Sequence, residues 1–375
     1  MDLDLSQEHE LLRNTVREFA TERVAPVADE LDRESRFPYE LVAEMAELGL
    51  MGIPIPEEYG GAGSDTLAYA IAIEELTRID SSVAITVAAH TSLGTMPIFL
   101  YGTDEQKSEW LPQLASGQKL AAFGLTEADA GSDAGATRTR AEERDGQWIV
   151  NGSKIFITNA GTDISACVTI TALTGEGEVS NVIVPNGTPG FTISPPMHKL
   201  GWHASDTREL SFKDVAVPEG NLLGERGRGF VQFLEILDGG RISVAAMGVG
   251  LAQGAYDLAY ARERRQFGKP ISSFQAVQFK LADMATEIEA GRALVYRAAW
   301  LKDQGRPFAL AAAQAKLYTG ELSNRVVNAS LQMHGGYGFM EESAIARLYR
   351  DQKVLEIGEG TNEVQRMVIA KHLGL

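Results

Sequence analysis

The chain has 375 residues, with 34 Lys and Arg against 51 Asp and Glu, a formal charge of −17. That length suits two or three domains or one elaborate fold that can bury a large cofactor. The acidic surface repels phosphate backbones and anionic lipid, so nucleic acid and membranes are poor partners, and a polyanionic cofactor must rely on local Arg, Lys, backbone amides or helix N-termini. The single cysteine, Cys167 in the apolar run ACVTI, can form neither an internal disulfide nor a cysteine metal cluster. It reads as a buried strand residue.

The start of the chain, MDLDLSQEHELL, is acidic and lacks the basic start and apolar core of a signal peptide. Ser6 is placed to cap a helix in which Leu11, Leu12, Val16, Phe19 and Ala20 recur at helical spacing. Further helices are predicted over 38–50, 67–77, 82–93 and 103–114, the last opening on a capping signal at Thr103. No apolar run approaches the ~20 residues of a membrane span, and the cytoplasm is the expected location.

From about Ala121 the period shifts towards two. Asp145-Gly146 and Asn151-Gly152 read as hairpin turns around a strand at 147–150. More strands are predicted over 154–157, 166–172, 179–184, 191–194 and 209–217. From about Gly229 the chain is helical again: 230–265 with a break or kink at Asp238-Gly239-Gly240, then 275–304, 308–333, 341–357 and 363–372. Gly248, Gly250 and Gly254 allow close helix packing. The predicted fold is α+β, mainly α: an N-terminal helical domain (1–120), a barrel-like β-domain (121–226) and a four-helix bundle (227–375).

Five segments carry chemistry-bearing residues. Phe123–Asp133 is rich in small and hydroxyl residues; Thr126 and Ser132 can bond a heteroaromatic ring or an anion, although a Gly-rich interdomain loop explains the same spacing. In Asn151–Asn159, Phe156 and Thr158 share one strand face, where a ring and a hydroxyl suit a planar cofactor; a core Phe and an edge Thr are the plainer reading. Arg262–Pro270 gathers three arginines and a lysine, fitting either an anion site or a solvated helix end. Gln332–Phe339 holds three glycines that either expose backbone amides or simply cap a helix. In Glu356–Arg366, Glu359 lies between two glycines, a freely placed carboxylate or an ordinary turn residue. The six histidines are scattered and form no metal pair, and neither GxSxG nor GxGxxG occurs. No metal is expected.

Together, LTEADAGSD (125–133), NGSKIFITN (151–159), KLGWHASDTRELSFKDVAVP (199–218), LDGGR (237–241), RRQFGKPISSFQ (264–275), QMHGGYGF (332–339) and IGEGTNEVQR (357–366) resemble the acyl-CoA dehydrogenase family, collinearly over essentially the whole chain. LDGGRI and FQAVQFKLADMA are most similar to its short-chain, straight-chain branch. The resemblance implies FAD, a homotetramer whose subunits share each flavin site, an acyl-CoA substrate and electron-transfer flavoprotein as partner, in fatty acid β-oxidation. It implies that Leu125, Thr126, Ser132, Phe156 and Thr158 line the flavin, with Thr361 and Glu363 holding FAD in the same subunit. Arg264, Gln266, Phe267, Gln275, Gln332 and Gly336 would reach FAD of a neighbouring subunit. Asp238 and Arg241, with Ser132 and Gly360, would contact the substrate.

Glu359 matches the family's catalytic base, which takes the α-proton while the β-hydrogen leaves as hydride. Some relatives carry that base on the LDGGR helix, where this chain has Gly240; this argues against isovaleryl and long-chain substrates. Phe156 stands where relatives more often carry Trp. Gly358 replaces a bulkier residue and His203 stands where an arginine is common. An acyl-CoA oxidase, a branched-chain dehydrogenase or a monooxygenase on the same fold, and an inactive flavin-binding protein, are the alternatives.

Overall fold

The computed structural model describes residues 4–259, 261 and 263–375. Arg262, placed above in the arginine cluster, and the first three residues lie outside the described residues.

The first region is helical. α1 (Gln7–Phe19) is capped by Ser6, whose side chain accepts from the His9 amide. The helical path continues through a wide i→i+5 turn at Ala20–Val24 into α2 (Ala25–Glu34), which was not expected. Pro26, in the first turn of α2 directly after the wide turn, does not end the path. There follow α3 (Tyr39–Glu47), α4 (Thr66–Ile79), α5 (Ser81–Ala88), α6 (Met96–Tyr101) and α7 (Asp104–Ala115), with Thr103 and Gln106 forming a reciprocal capping box on α7. Ser81–Tyr101 is one helical path of 21 residues with mean hydropathy 1.5, contrary to the expectation that no such run occurs. It is 83% buried within the protein, the setting of a core helix.

The middle region is a sheet of β1 (Leu120–Gly124), β2 (Arg140–Arg144), β3 (Gln147–Thr158), β4 (Ser165–Gly175), β5 (Glu178–Pro185), β6 (Phe191–Ile193), β7 (Thr207–Pro218) and β8 (Leu222–Leu223), in the order β6-β7-β3-β2-β4-β5-β8 with β1 parallel to β4. Asp145-Gly146 makes the β2–β3 turn, both residues at positive φ. Asn151-Gly152 is not a turn. β3 runs through it as one strand of 12 residues, slipping register against β7. The Asn151 side chain is occupied across the strands, accepting from the Asp214 amide at 2.8 Å and donating to its carboxylate at 3.2 Å. Gly152 is pressed against Thr139, where a Cβ would fall 2.5 Å from the hydroxyl.

The last region holds α8 (Gly229–Leu258), α9 (Gln275–Asp303), α10 (Ala309–His334), α11 (Ala344–Asp351) and α12 (Asn362–His372). α8 passes Asp238-Gly239-Gly240 without a break and ends seven residues before Arg265. Residues Arg265–Gln266 (β9) and Lys269–Pro270 (β10) form a small antiparallel ribbon instead. Within 341–357 only α11 is α-helical, and a tighter turn at Gln352–Glu356 follows it. The glycines of α8 permit close approach as expected: a Cβ on Gly248 would meet Thr319 of α10, and one on Gly250 or Gly254 would meet α4 backbone at 2.4 or 2.1 Å. The N-terminal and C-terminal helices therefore share one apolar core, while the sheet has its own around Trp148, Val150, Ile170 and Phe212. His90 is buried between α7 and β1, accepting from the Ala121 amide at 3.2 Å and bonding the Leu114 carbonyl at 2.9 Å; burial holds it down at about 4, so it stays neutral.

Candidate active site

Glu359 sits in the turn that enters α12. Its own φ is 53° and that of Gly360 is 89°, two successive left-handed residues. This region costs glycine little and glutamate more. The turn is held by tertiary bonds: the Gly360 carbonyl accepts from Lys316 Nζ at 2.8 Å and from Gln365 Nε2 at 2.9 Å, and Thr361 caps α12 by accepting from the Val364 amide. The strained path turns the carboxylate inward against α8. A Cβ on Gly240 would lie 2.2 Å from Glu359 Oε2 and 3.0 Å from the Leu93 side chain. Gly240 is therefore the space that the carboxylate fills.

Glu359 Oε2 is buried and has no hydrogen-bond partner among the described residues. Burial raises the carboxyl to about 7, against the opposing pull of the Lys316 and Arg241 cations. Its backbone N–H, too, donates to no protein acceptor among the described residues. Asp238 and Arg241, flanking Gly240 on α8 one helical turn apart, are joined to each other as an ion pair. Beside them lies a cavity of about 340 Å³, lined by Tyr69, Ser92, Ile236, Gly239 and Lys302 among others.

The second group surrounds the end of β3. Phe156 is 62% exposed at φ 63°, in an irregularity of pairing between Lys154 and Ile157. Ile157 turns into the sheet core, leaving Phe156 and Thr158 outside it on either side. The Leu125–Asp133 loop is stitched to this strand: Ile155 N donates to the Thr126 carbonyl at 2.9 Å. Leu125 is buried, Thr126 half-buried and Ser132 exposed, and a Cβ on Gly131 would meet nothing within 4 Å.

Beneath this loop lies a pair that the sequence reading passed over. Lys154 is fully buried, and its ammonium donates to Glu127 at 2.7 Å, to Thr171 at 3.0 Å, and to Thr137 and the Leu125 carbonyl at 3.1 Å. Burial alone would raise Glu127, but Lys154, the Thr137 hydroxyl and the Arg138 amide hold it at about 2. A lysine in the buried register that Trp148 and Val150 occupy on the same strand was the signal available for it. Phe123 near the end of β1, just before the loop, stacks on Phe233 of α8 with centroids 3.9 Å apart, joining sheet and helix.

The third group lies apart. Gln266, Phe267 (93% exposed), Gln275, Gln332 and Gly336 are all exposed, and Arg264 lies over the Tyr337 ring at 5.9 Å. Among the described residues, no hydrogen bond, ion pair or ring contact joins this face to Phe156 or Thr158. Glu363 occupies the first turn of α12, where its own amide and the Thr361 hydroxyl lower its carboxyl. His203, which stands where relatives often carry an arginine, lies 3.1 Å from Asp32 of α2 and 3.1 Å from Arg350 of α11. A Cβ on Gly358 would meet only Val354, at ordinary contact distance.

Three family models match this chain: acyl-CoA dehydrogenase N-terminal domain over residues 6–118, middle domain over 122–215 and C-terminal domain over 227–374. The chain is 50% identical over 380 residues to the probable acyl-CoA dehydrogenase YngJ of Bacillus subtilis, covering 100% of both. It is 45% identical to a short-chain specific acyl-CoA dehydrogenase of Clostridium acetobutylicum over 99% of each. Among solved structures, butyryl-CoA dehydrogenase from Megasphaera elsdenii superposes with a TM-score of 0.97 at 43% identity, over 100% of both chains. A chain in a structure of the electron transferring flavoprotein of Acidaminococcus fermentans gives 0.97 at 43%, over 100% of this chain and 99% of that one. An acyl-CoA dehydrogenase complexed with FAD from Bacillus anthracis gives 0.93 at 36%, over 99% of this chain and 67% of that one. The protein is an oxidoreductase that belongs to the acyl-CoA dehydrogenase family.

Proposed function

We propose that the protein uses FAD to desaturate a short, straight-chain acyl-CoA to its trans-2-enoyl-CoA, with Glu359 as the base and electron-transfer flavoprotein as the electron acceptor. The observation that carries this reading is the Glu359 carboxylate: buried, unpartnered at Oε2 and raised to about 7. A base with its pKa near the working pH combines a useful ionised fraction with a strong pull on the proton.

FAD fits the residues around β3. An exposed Phe156 ring beside the Thr158 hydroxyl suits a planar heterocycle, and the open backbone at Gly131 admits close approach by a ligand. Leu125, Thr126 and Ser132 complete that wall, with Thr361 and Glu363 on the α12 side. When bound, FAD supplies the acceptor for the β-hydrogen and its electron pair. Glu359 takes the α-proton at Oε2. Its unpartnered backbone N–H serves the thioester carbonyl as one oxyanion donor. Asp238, Arg241, Ser132 and Gly360 hold the CoA arm and the thioester end of the substrate.

The short straight chain is supported by the likeness to butyryl-CoA and short-chain relatives and by Gly240 at the alternative base position. The exposed apolar side chains Phe267, Phe279, Tyr337, Phe339 and Met367 on the C-terminal helices and ribbon support a homotetramer. Arg264, Gln266, Phe267, Gln275, Gln332 and Gly336 then serve FAD of a neighbouring copy. A cytoplasmic setting agrees with the single cysteine, whose thiol burial pushes up to about 12.

The test is anaerobic mixing of the yellow holoprotein with butyryl-CoA. Bleaching is expected, with slow reoxidation in air; rapid reoxidation would instead indicate an oxidase. Glu359→Gln should retain FAD and bind substrate yet bleach at least about 10³-fold more slowly. Normal bleaching by that variant would remove Glu359 from the mechanism, and an optimum above C8 or for branched acyl groups would overturn the short-chain assignment.

A further inference from the structure

Lys316 lies on α10 in the run ALAAAQAKLYTG, a single cation among alanines. It is fully buried, which is costly for an ammonium without a purpose or a strong partner. Its bonds go to the Gly360 carbonyl at 2.8 Å and, more loosely, to Asn362 Oδ1 at 3.4 Å. Those acceptors lie one and three residues beyond Glu359, so the base itself is not the group it grips. A lysine meant only to neutralise the carboxylate would pair with it directly, as Lys154 does with Glu127.

Two consequences follow from that placement. The Gly360 carbonyl is fixed from two sides, by Lys316 and Gln365, in a turn whose residues 359 and 360 both sit at positive φ. Such a backbone persists only where surrounding contacts over-determine it. The buried charge also acts on the nearby carboxylate, for among the cations that favour ionised Glu359, Lys316 stands ahead of Arg241. The other charged or titratable groups facing this cluster are Asp238, which is paired with Arg241; Glu356 and Glu363 on the base's own segment; and the Tyr69 hydroxyl on α4.

We propose that Lys316 is a positioning residue for the catalytic base: by pinning the Gly360 carbonyl it holds the Glu359 turn, and by its charge it favours the ionised carboxylate without capping it. The inference rests on the desaturation reading above. It separates two jobs that a direct ion pair would merge: the base feels a cation, yet keeps the lone pair at Oε2 for the α-proton.

The experiment follows anaerobic bleaching of the holoenzyme by butyryl-CoA as a function of pH, for the parent and for Lys316→Gln, Lys316→Met and Lys316→Arg, with FAD content and thermal melting measured in parallel. In the parent the rate should rise with pH through about 7, as Glu359 ionises. Lys316→Gln drops the charge but can still donate to Gly360. Its acid limb should move up by about one pH unit with the plateau nearly kept. Lys316→Met loses both, so the same shift should accompany a plateau about tenfold lower. Lys316→Arg should return the limb to the parental position. A purely structural lysine would lower FAD content, melting temperature or plateau and leave the limb unmoved. If Met at this position prevents folding, Gln and Arg still decide the matter. An unmoved limb in Lys316→Gln overturns the assignment to Lys316 alone; a parent that no acyl-CoA bleaches overturns the desaturation reading instead.

Discussion

Glu127 and Glu359 are both glutamates in buried settings, each with a buried lysine close by, and their environments push them in opposite directions. Under the sheet, Lys154 bonds the Glu127 carboxylate directly while Thr137 and two backbone amides satisfy the rest, and the group stays ionised down to about 2. In the helical core, Lys316 bonds the backbone beyond Glu359, Oε2 has no partner, and burial carries the group up to about 7. The contrast teaches that burial and a neighbouring cation do not define a role; what matters is whether the carboxylate's own lone pairs are filled. A filled carboxylate is a rivet. An unfilled one is poised to take a proton.

The contrast can be broken most forcefully from the sheet side. Lys154→Met should leave Glu127 charged and buried without its partner, costing about 3–5 kcal/mol in denaturant unfolding; a loss below about 1 kcal/mol would mean the pair is not holding the loop. Glu127 is depressed in the fold, so its contribution is present above its ordinary value of 4.5 and is lost only as pH falls through about 2. Without Lys154 that depression is relieved, so the stability gap between Lys154→Met and the parent should narrow as pH falls from 4.5 towards about 2, where the parent loses this contribution.

Gly240→Ala comes next. Its methyl falls where Glu359 Oε2 now sits, so the carboxylate must move. The bleaching rate should drop about 10²-fold, at a stability cost of about 1–3 kcal/mol. Retained activity would show that the base needs no exact seat.

The Glu359 carboxyl is raised in the fold, so it favours the native state fully below the ordinary value of 4.5, and that advantage disappears as pH rises through about 7. Glu359→Gln should abolish this slope and melt within about 1 kcal/mol of the parent near neutrality, or slightly above it. A large destabilisation would recast Glu359 as a second rivet. The smallest effect belongs to the outside of the flavin-facing loop: Arg138→Ala breaks an exposed pair with Asp129 and should change stability by less than about 0.5 kcal/mol.

Local rules were legible wherever a few neighbouring residues decide the outcome. Ser6 and Thr103 cap the helices they precede, Asp145-Gly146 turns the chain, and the succession of helices, sheet and helices follows from periodicity. The same rules misjudged Asn151-Gly152, because cross-strand bonds to Asp214 and the pressure of Thr139 favour a bulge over a turn. They also broke α8 at Gly239-Gly240, where packing against Glu359 and Leu93 favours a continuous helix. Glu359 was reached through collinear motifs; its spacing alone left it an ordinary turn residue.

The sequence by itself determined the succession of helices, sheet and helices, the caps at Ser6 and Thr103, the family and the identity of the candidate base. Only the tertiary structure decided that Gly240 is the seat of a carboxylate, that Lys154 and Glu127 lock the loop from 27 residues apart, and that Lys316 holds the turn bearing Glu359 from 44 residues before Gly360. The reason is physical: caps and turns are set by bonds within a few residues, whereas desolvation and charge coupling depend on groups that meet only when distant segments pack, and they leave no period along the chain.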